Sequence, residues 1–330
     1  MDWQAFEKHK PFAGDKQPSM LRRRVGHDYE SRCIYLITLT VEGRQPLLGK
    51  LVGGVEEPRV ELTPLGEAVR DNWEAIAQHH PEVQVLATMI MPDHLHGILF
   101  IRQQMQQPLG HIIRGFKVGC NKAYRSLSIP QRCCGKGNSG SPRENKGFLF
   151  SRNYNDHILD HRGELERWFA YLRDNPRRLA IRRAHPDYFR VCFGVTLGEQ
   201  TYAAIGNRFL LDYPLKMQVQ CSRSLTDAEV DATVERMLAK ARSGVVLVSP
   251  AISKGEQAVM RAVLDARLPL IFLTPWGFNE FSRPGHQYYE ACAEGRFLIL
   301  APWKHQNQRI PLTRDMCLQL NAMTAAICAK

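Results

Sequence analysis

The segment MPDHLHG, residues 91–97, places two imidazoles two positions apart, His94 and His96. In a strand, such positions share a face, so both rings point one way while Leu95 points into the layer behind. Neutral imidazole is a common ligand for divalent metals, and a bound metal can polarise a phosphoryl oxygen. Two histidines so spaced also occur as ordinary hydrogen-bonded surface residues, so a third ligand and a reacting group are needed. Further along, Tyr171 and Asn175 are four apart and would share one face of a helix. A phenol can attack phosphorus, and an amide oxygen can complete a metal site. Tyr124 and Tyr154 are the alternative nucleophiles.

The charge distribution points to a polyanion. The net charge is +11. Residues 103–190 hold 17 Lys and Arg against 7 Asp and Glu, whereas residues 191–330 hold 15 against 12. The basic excess lies in the half that carries Tyr171 and Asn175, just beyond the histidines, as expected for a nucleic-acid partner. There is no apolar run long enough to span a membrane. The first residues, MDWQAFEKHKPF, lack a secretory core, so a cytoplasmic location is expected. The nine cysteines show no paired zinc spacing and read as reduced packing residues.

The elements that would position these groups follow from pattern. Residues 33–41 (CIYLITLTV) read as the first strand. Thr63 and Pro64 are cap and first residue of a helix. Residues 83–91 and 97–101 are strands flanking the histidine turn. Pro108 opens an amphipathic helix to about 127 whose polar face carries Arg114, Lys117, Lys122 and Arg125. Residues 1–30 read as a polar arm bearing Arg22, Arg23 and Arg24, and residues 128–147 as a long loop rich in Gly, Ser and Pro. A helix over 162–174 should stop at Asn175-Pro176, because the residue before proline avoids the helical region. This half, residues 1–190, reads as an α+β domain: an antiparallel or mixed sheet with packed helices.

Residues 191–330 change rhythm. Apolar strands at 244–250, 268–275 and 297–302 alternate with helices at 227–241, 253–266 and 313–328, which predicts an α/β domain with a parallel, Rossmann-like sheet. The dinucleotide fingerprint G-x-G-x-x-G is absent. Candidate ligand contacts at strand ends are Ser249, Ser253, Lys254, Gly255, Thr274 and Gly277, all of which also suit ordinary turns.

The segments MPDHLHGILF, PLGHIIRGFKVGCNKAY and NYNDHILDHRGELERWFAYLRDNP resemble the HUH single-tyrosine transposases, and more closely the REP-associated tyrosine transposases. The resemblance covers about residues 30–185. It rests on the Pro-x-His-x-His step, Phe116-Lys117, and Tyr171 with Asn175-Pro176. Asp93 and the long loop 128–147 depart from the family's pattern. The stretch from Val245 to Gly277, with residues 294–303, is similar in pattern to DprA and lysine-decarboxylase-like Rossmann domains.

The transposase resemblance implies a DNA transposase whose His94, His96 and Asn175 bind Mg2+ or Mn2+ while Tyr171 attacks single-stranded DNA. It further implies a 5′-phosphotyrosine that is later rejoined, and a hairpin held by Arg114, Lys117, Lys122, Arg125, Arg152, Arg177 and Arg178. The alternatives are a domesticated hairpin-binding regulator that does not cut, and a metal phosphodiesterase that uses water. The sequence leaves open a homodimer, and action of Tyr171 in cis or in trans.

Overall fold

The computed structural model describes residues 23–24, 26–128, 148–308 and 311–329. The expected arm up to Arg22 and the loop 129–147 lie outside the described residues. The chain divides into two compact units, one ending at Ala180 and one continuing from Ile181 to the C-terminal end. Residues 181–190 belong with the second unit because Ile181 and Phe189 are buried in its core.

The first unit is built on a four-stranded antiparallel sheet. Its strands are β1 (Cys33–Thr40), β4 (Val83–Met91), β5 (His94–Ile101) and β6 (Asn155–Ile158), in the order β4-β5-β1-β6. A separate hairpin pairs β2 (Gly49–Val52) with β3 (Arg59–Leu62). Pro92 and Asp93 alone join β4 to β5, with Met91 opposite His94, so the hairpin register puts both histidines inside β5.

Strand alternation sorts the two faces. Tyr35, Ile37, Leu39, Leu95 and Leu99 face a core shared with α1 (Pro64–Glu74) and α2 (Leu109–Ser128). Leu36 and Ile98 face the opposite way, against Leu165, Trp168, Phe169 and Leu172 of α3 (Glu164–Ala184). Helices therefore cover both faces, and the unit is an α+β sandwich.

Local chemistry explains the α1 start. Thr63 accepts from the Gly66 amide at 3.1 Å, and Pro64 takes the first position, as the sequence predicts. α3 does not stop at Asn175-Pro176. It runs on through Pro176 to Ala184, even though proline removes one ladder donor and crowds the preceding turn. The burial of Leu172, Asn175, Ala180 and Ile181 on this helix supplies the packing that local propensity lacks.

Gly97 follows His96 because no side chain fits there. A Cβ would lie 2.1 Å from Cζ2 of Trp73, which is fully buried. Gly97→Ala is expected to destabilise the unit by about 3 kcal/mol, read as a lowered denaturation midpoint.

The second unit holds a six-stranded sheet, in the order β7 (Cys192–Leu197), β8 (Gln200–Gly206), β12 (Phe297–Ala301), β11 (Leu270–Leu273), β10 (Val246–Ser249), β9 (Lys216–Gln218). β9 to β12 are parallel, as expected. β8 runs antiparallel to β12, and β7 to β8. The two-residue link between β7 and β8 permits only an antiparallel pair, so the sheet is mixed. Helices α4 (Asp227–Arg242), α5 (Lys254–Asp265) and α6 (His286–Ala293) contribute to one core, and α7 (Arg314–Cys328) to the other. Among the described residues, no helix is long and apolar enough to cross a membrane.

Candidate functional site

β5 presents His94 and His96 toward α3, with ring centroids 4.8 Å apart and planes at 84°. Each ring has one nitrogen already engaged. His94 Nδ1 donates to the Asp93 carboxylate at 2.6 Å. His96 Nδ1 pairs with Thr38 Oγ1 at 2.8 Å, its cross-strand neighbour on β1. Such pairing fixes ring orientation and reserves the Nε2 edge for a ligand, as in metal-binding histidines.

Asp93 is itself anchored. Burial pushes its carboxyl up, but the His94 hydrogen bond and the Arg44 charge outweigh this and hold it below the usual range. The Arg44 guanidinium lies 3.2 Å away. Burial, reinforced by His94, lowers the His96 pKa to about 3, so His96 is neutral at neutral pH and offers a lone pair. The unfolded chain, with its histidine near 6.5, binds more protons in between. Stability of the metal-free protein is therefore expected to fall as pH drops from 6.5 toward 3, and His96→Gln should flatten that slope. Denaturant titrations at several pH values measure it.

α3 brings the other groups. The Tyr171 ring lies 6.2 Å from His96 and 5.2 Å from Trp168. Asn175 follows one turn later on the same helix face. It is 6% exposed, and among the described residues its buried Nδ2 has no hydrogen-bond partner. Because the helix continues past Pro176, Arg178 shares this face too, with its guanidinium 5.5 Å from the Tyr171 ring. The Trp168 ring also packs 5.4 Å from His157, whose Nε2 is 2.5 Å from Glu164 Oε1.

The other tyrosines are placed elsewhere. Tyr124 and Tyr154 pack on the core beneath the opposite face of the sheet. The Tyr154 ring lies 3.8 Å from the Arg23 guanidinium, and burial pushes its pKa up to about 12. Tyr171 is the candidate tyrosine on the histidine face.

The basic residues separate into kinds. Arg114, Lys122 and Arg125 are exposed on α2, across the sheet from the histidines. The Lys117 ammonium is turned inward instead. It donates to the carbonyls of Ser151, Arg152 and Asn153 at 2.7–3.2 Å, and burial lowers its pKa to about 8. That is an anchor for the segment leading into β6, not an outward phosphate contact. Arg152 is exposed. Arg177 pairs with Asp174 at 2.6 Å, and Arg178 reaches the same carboxylate at 3.8 Å. Of the expected arm, Arg23 pairs with Asp156 and Arg24 with Asp160, so these two serve the fold.

In the second unit, the candidate contacts at strand ends hold turns. Ser249 Oγ accepts from the Ala251 amide, Ser253 caps α5, and Thr274 Oγ1 accepts from the Trp276 amide. Lys254 pairs with Asp227. A Cβ on Gly277 would meet the Lys304 backbone at 2.1 Å, and one on Gly255 would press on Cys221.

Thr38 and Trp168 were not anticipated. Thr38 could have been found only from the strand register, and Trp168 from its place one turn before Tyr171.

No family model matches the chain. It is 26% identical over 171 residues to an uncharacterized protein of Haemophilus influenzae, covering 46% of this chain and 83% of that one. Similar solved structures include a REP-associated tyrosine transposase bound to a REP hairpin, at 12% identity and TM-score 0.31, covering 46% of this chain and 70% of that one. Another is the single-stranded-DNA-binding DNA processing protein A of Helicobacter pylori, at 19% identity and TM-score 0.33, covering 43% and 67%. These are distant similarities.

Proposed function

We propose that the first unit cleaves and rejoins single-stranded DNA through a covalent link to Tyr171, with Mg2+ or Mn2+ held by His94, His96 and Asn175. The observation that carries this reading is the approach of the Tyr171 ring to His96, 6.2 Å between centroids, inside one unit of one chain. That placement supports action in cis.

The donor set fits a divalent cation. Two imidazoles keep their Nε2 edges available, and the buried Asn175 carries an amide oxygen, a hard donor, one turn beyond Tyr171 on the same helix face. The third ligand of the proposed site is the Asn175 amide oxygen, since among the described residues no group of three His, Cys, Asp or Glu could hold a metal. Once bound, the cation would polarise the scissile phosphate and offset charge in the transition state.

The remaining chemistry belongs to the chain. The Tyr171 oxygen attacks phosphorus, and the bond to the 3′ oxygen breaks. The phenolic proton leaves to solvent, while the departing 3′ oxygen gains one. The product is a 5′-phosphotyrosine and a free 3′-hydroxyl, and the reverse attack by a 3′-hydroxyl rejoins DNA. One phosphodiester replaces another, so no nucleotide cofactor is consumed. Trp168 and Arg178 hold the ring; Arg114, Lys122 and Arg125 are exposed across the sheet from it, so they and Arg152 would meet phosphates away from the scissile step, with salt-dependent affinity.

The test is a denaturing gel after incubating the protein with hairpin DNA and Mn2+. DNA labelled at its 3′ end should yield labelled protein. DNA labelled at its 5′ end should yield only shortened free strand. Shortened strand without any adduct would show water as the nucleophile, and tight binding without cleavage would mark a hairpin-binding regulator; either result overturns the proposal.

A further inference from the structure

A cleft in the first unit lies at the far end of β5 from the histidines. It has a volume of about 470 Å3 and is lined by His80, Glu82, Gln103, Gln104, Met105, Gln106, Gln107, His111 and Ile112. That size is within the roughly 300–1,000 Å3 range of small-ligand clefts.

The cleft's composition is unlike the rest of this basic half. Among the described residues no Lys or Arg lines it. Met105 and Ile112 are buried to 4% and 2% exposure and give it an apolar floor. Four glutamines stand around them, all exposed, and among the described residues their side-chain amides are left to solvent or a ligand. The backbone beneath is pinned. The Arg102 amide donates to the Glu82 carbonyl, the Met105 amide to Glu30, and the Leu109 amide to Tyr29, at 2.9–3.1 Å. The amides are thus presented from a fixed loop.

An apolar floor with neutral donor–acceptor groups on its walls suits the flat face and polar edge of an unpaired base. Glutamine offers a carbonyl and an amino group side by side, which match the amino group and ring nitrogen of adenine. Guanine's paired acceptors call for Arg or Lys, and neither is present. The Glu82 carboxylate lies 3.7 Å from His80 Nδ1, so it is occupied by its neighbour and the glutamines do the reading.

We infer that this cleft reads an unpaired adenine in the single-stranded DNA that the first unit binds. The inference takes its ligand from the proposed function but does not depend on cleavage. Phosphate contacts position a strand without reading it, so a separate site for a base supplies the selectivity that the basic surface lacks.

The experiment is fluorescence anisotropy in EDTA, where no cleavage occurs. The probes are a dT8 strand and dT8 strands carrying one central dA, dC or dG. The dA strand should bind about tenfold tighter than dT8, with dC and dG near the dT8 value. The quadruple variant Gln103→Ala, Gln104→Ala, Gln106→Ala, Gln107→Ala should bind all four strands like dT8, with its dT8 affinity and thermal melting unchanged. Absence of the dA preference, preference for another base, or its survival in the quadruple variant would overturn the inference. Tyr171→Phe protein run in parallel should keep the dA preference, whereas adduct formation in Mn2+, assayed separately, tests the nucleophile, so the two failures are told apart.

Discussion

Tyr171→Phe protein should form no covalent adduct with hairpin DNA in Mn2+, a loss of about a thousandfold or more in cleavage rate. The substitution removes one oxygen and leaves the ring. The edge contacts with His96 and Trp168 and the Arg178 guanidinium over the face are all available to phenylalanine. Its melting temperature should therefore stay close to that of the wild type, since a change at a partly exposed site that keeps its packing costs within about 0.5 kcal/mol. DNA affinity should hold as well, because phosphates are met by other residues. Residual adduct in this variant would assign the chemistry to another tyrosine. Tyr124→Phe and Tyr154→Phe serve as controls and should cleave normally, because both rings lie beneath the opposite face of the sheet.

His94→Ala and His96→Ala should each abolish Mn2+-dependent cleavage while leaving hairpin binding in EDTA intact. The two are expected to differ in cost to the fold. His96 is the more enclosed ring and carries the bond to Thr38, so its loss also leaves a strand hydroxyl without its partner, at about 1 kcal/mol. Asp93→Asn should be milder. It keeps an acceptor for His94 Nδ1 but removes the charge that sets the ring's basicity, and outer-shell changes of this kind weaken metal affinity about 10–100-fold. A Mn2+ titration of adduct formation would show the midpoint moving to higher concentration with the plateau retained. An unmoved midpoint would mean that Asp93 only shapes the turn.

Much of this arrangement was legible in the sequence because it is local. The alternation around MPDHLHG gives the strand pair and its common histidine face. Thr63 and Pro64 mark a helix start, and the apolar runs of the second half mark parallel strands. The reading failed where tertiary packing outweighed local preference. Pro176 should end a helix by its own chemistry, yet buried Leu172, Asn175, Ala180 and Ile181 carry α3 through it. Lys117 looks like a phosphate contact on a helical wheel, and only the fold reveals the three carbonyls that claim it. Arg23 and Arg24 meet Asp156 and Asp160 more than 130 residues away. β7 and α6 carry too little periodicity to announce themselves, since Gly194 interrupts the one and HQYYEACA has no clear apolar stripe.

The unbroken course of α3 has a consequence for how this protein can vary. Tyr171, Asn175 and Arg178 are kept together only by their counts along one helix, and each added residue turns everything beyond it by about 100°. A substitution in the stretch between them alters one side chain. A single insertion there would swing Asn175 and Arg178 off the histidine face, or shift Tyr171 away from both, while leaving a perfectly good helix. Variation by length is therefore closed to this segment, whereas surface loops can absorb it at small cost. A library of one-residue insertions scanned through the chain should show a sharp zone between 171 and 178 where no strand is cut and stability falls as well, because the buried residues of α3 turn with the helix.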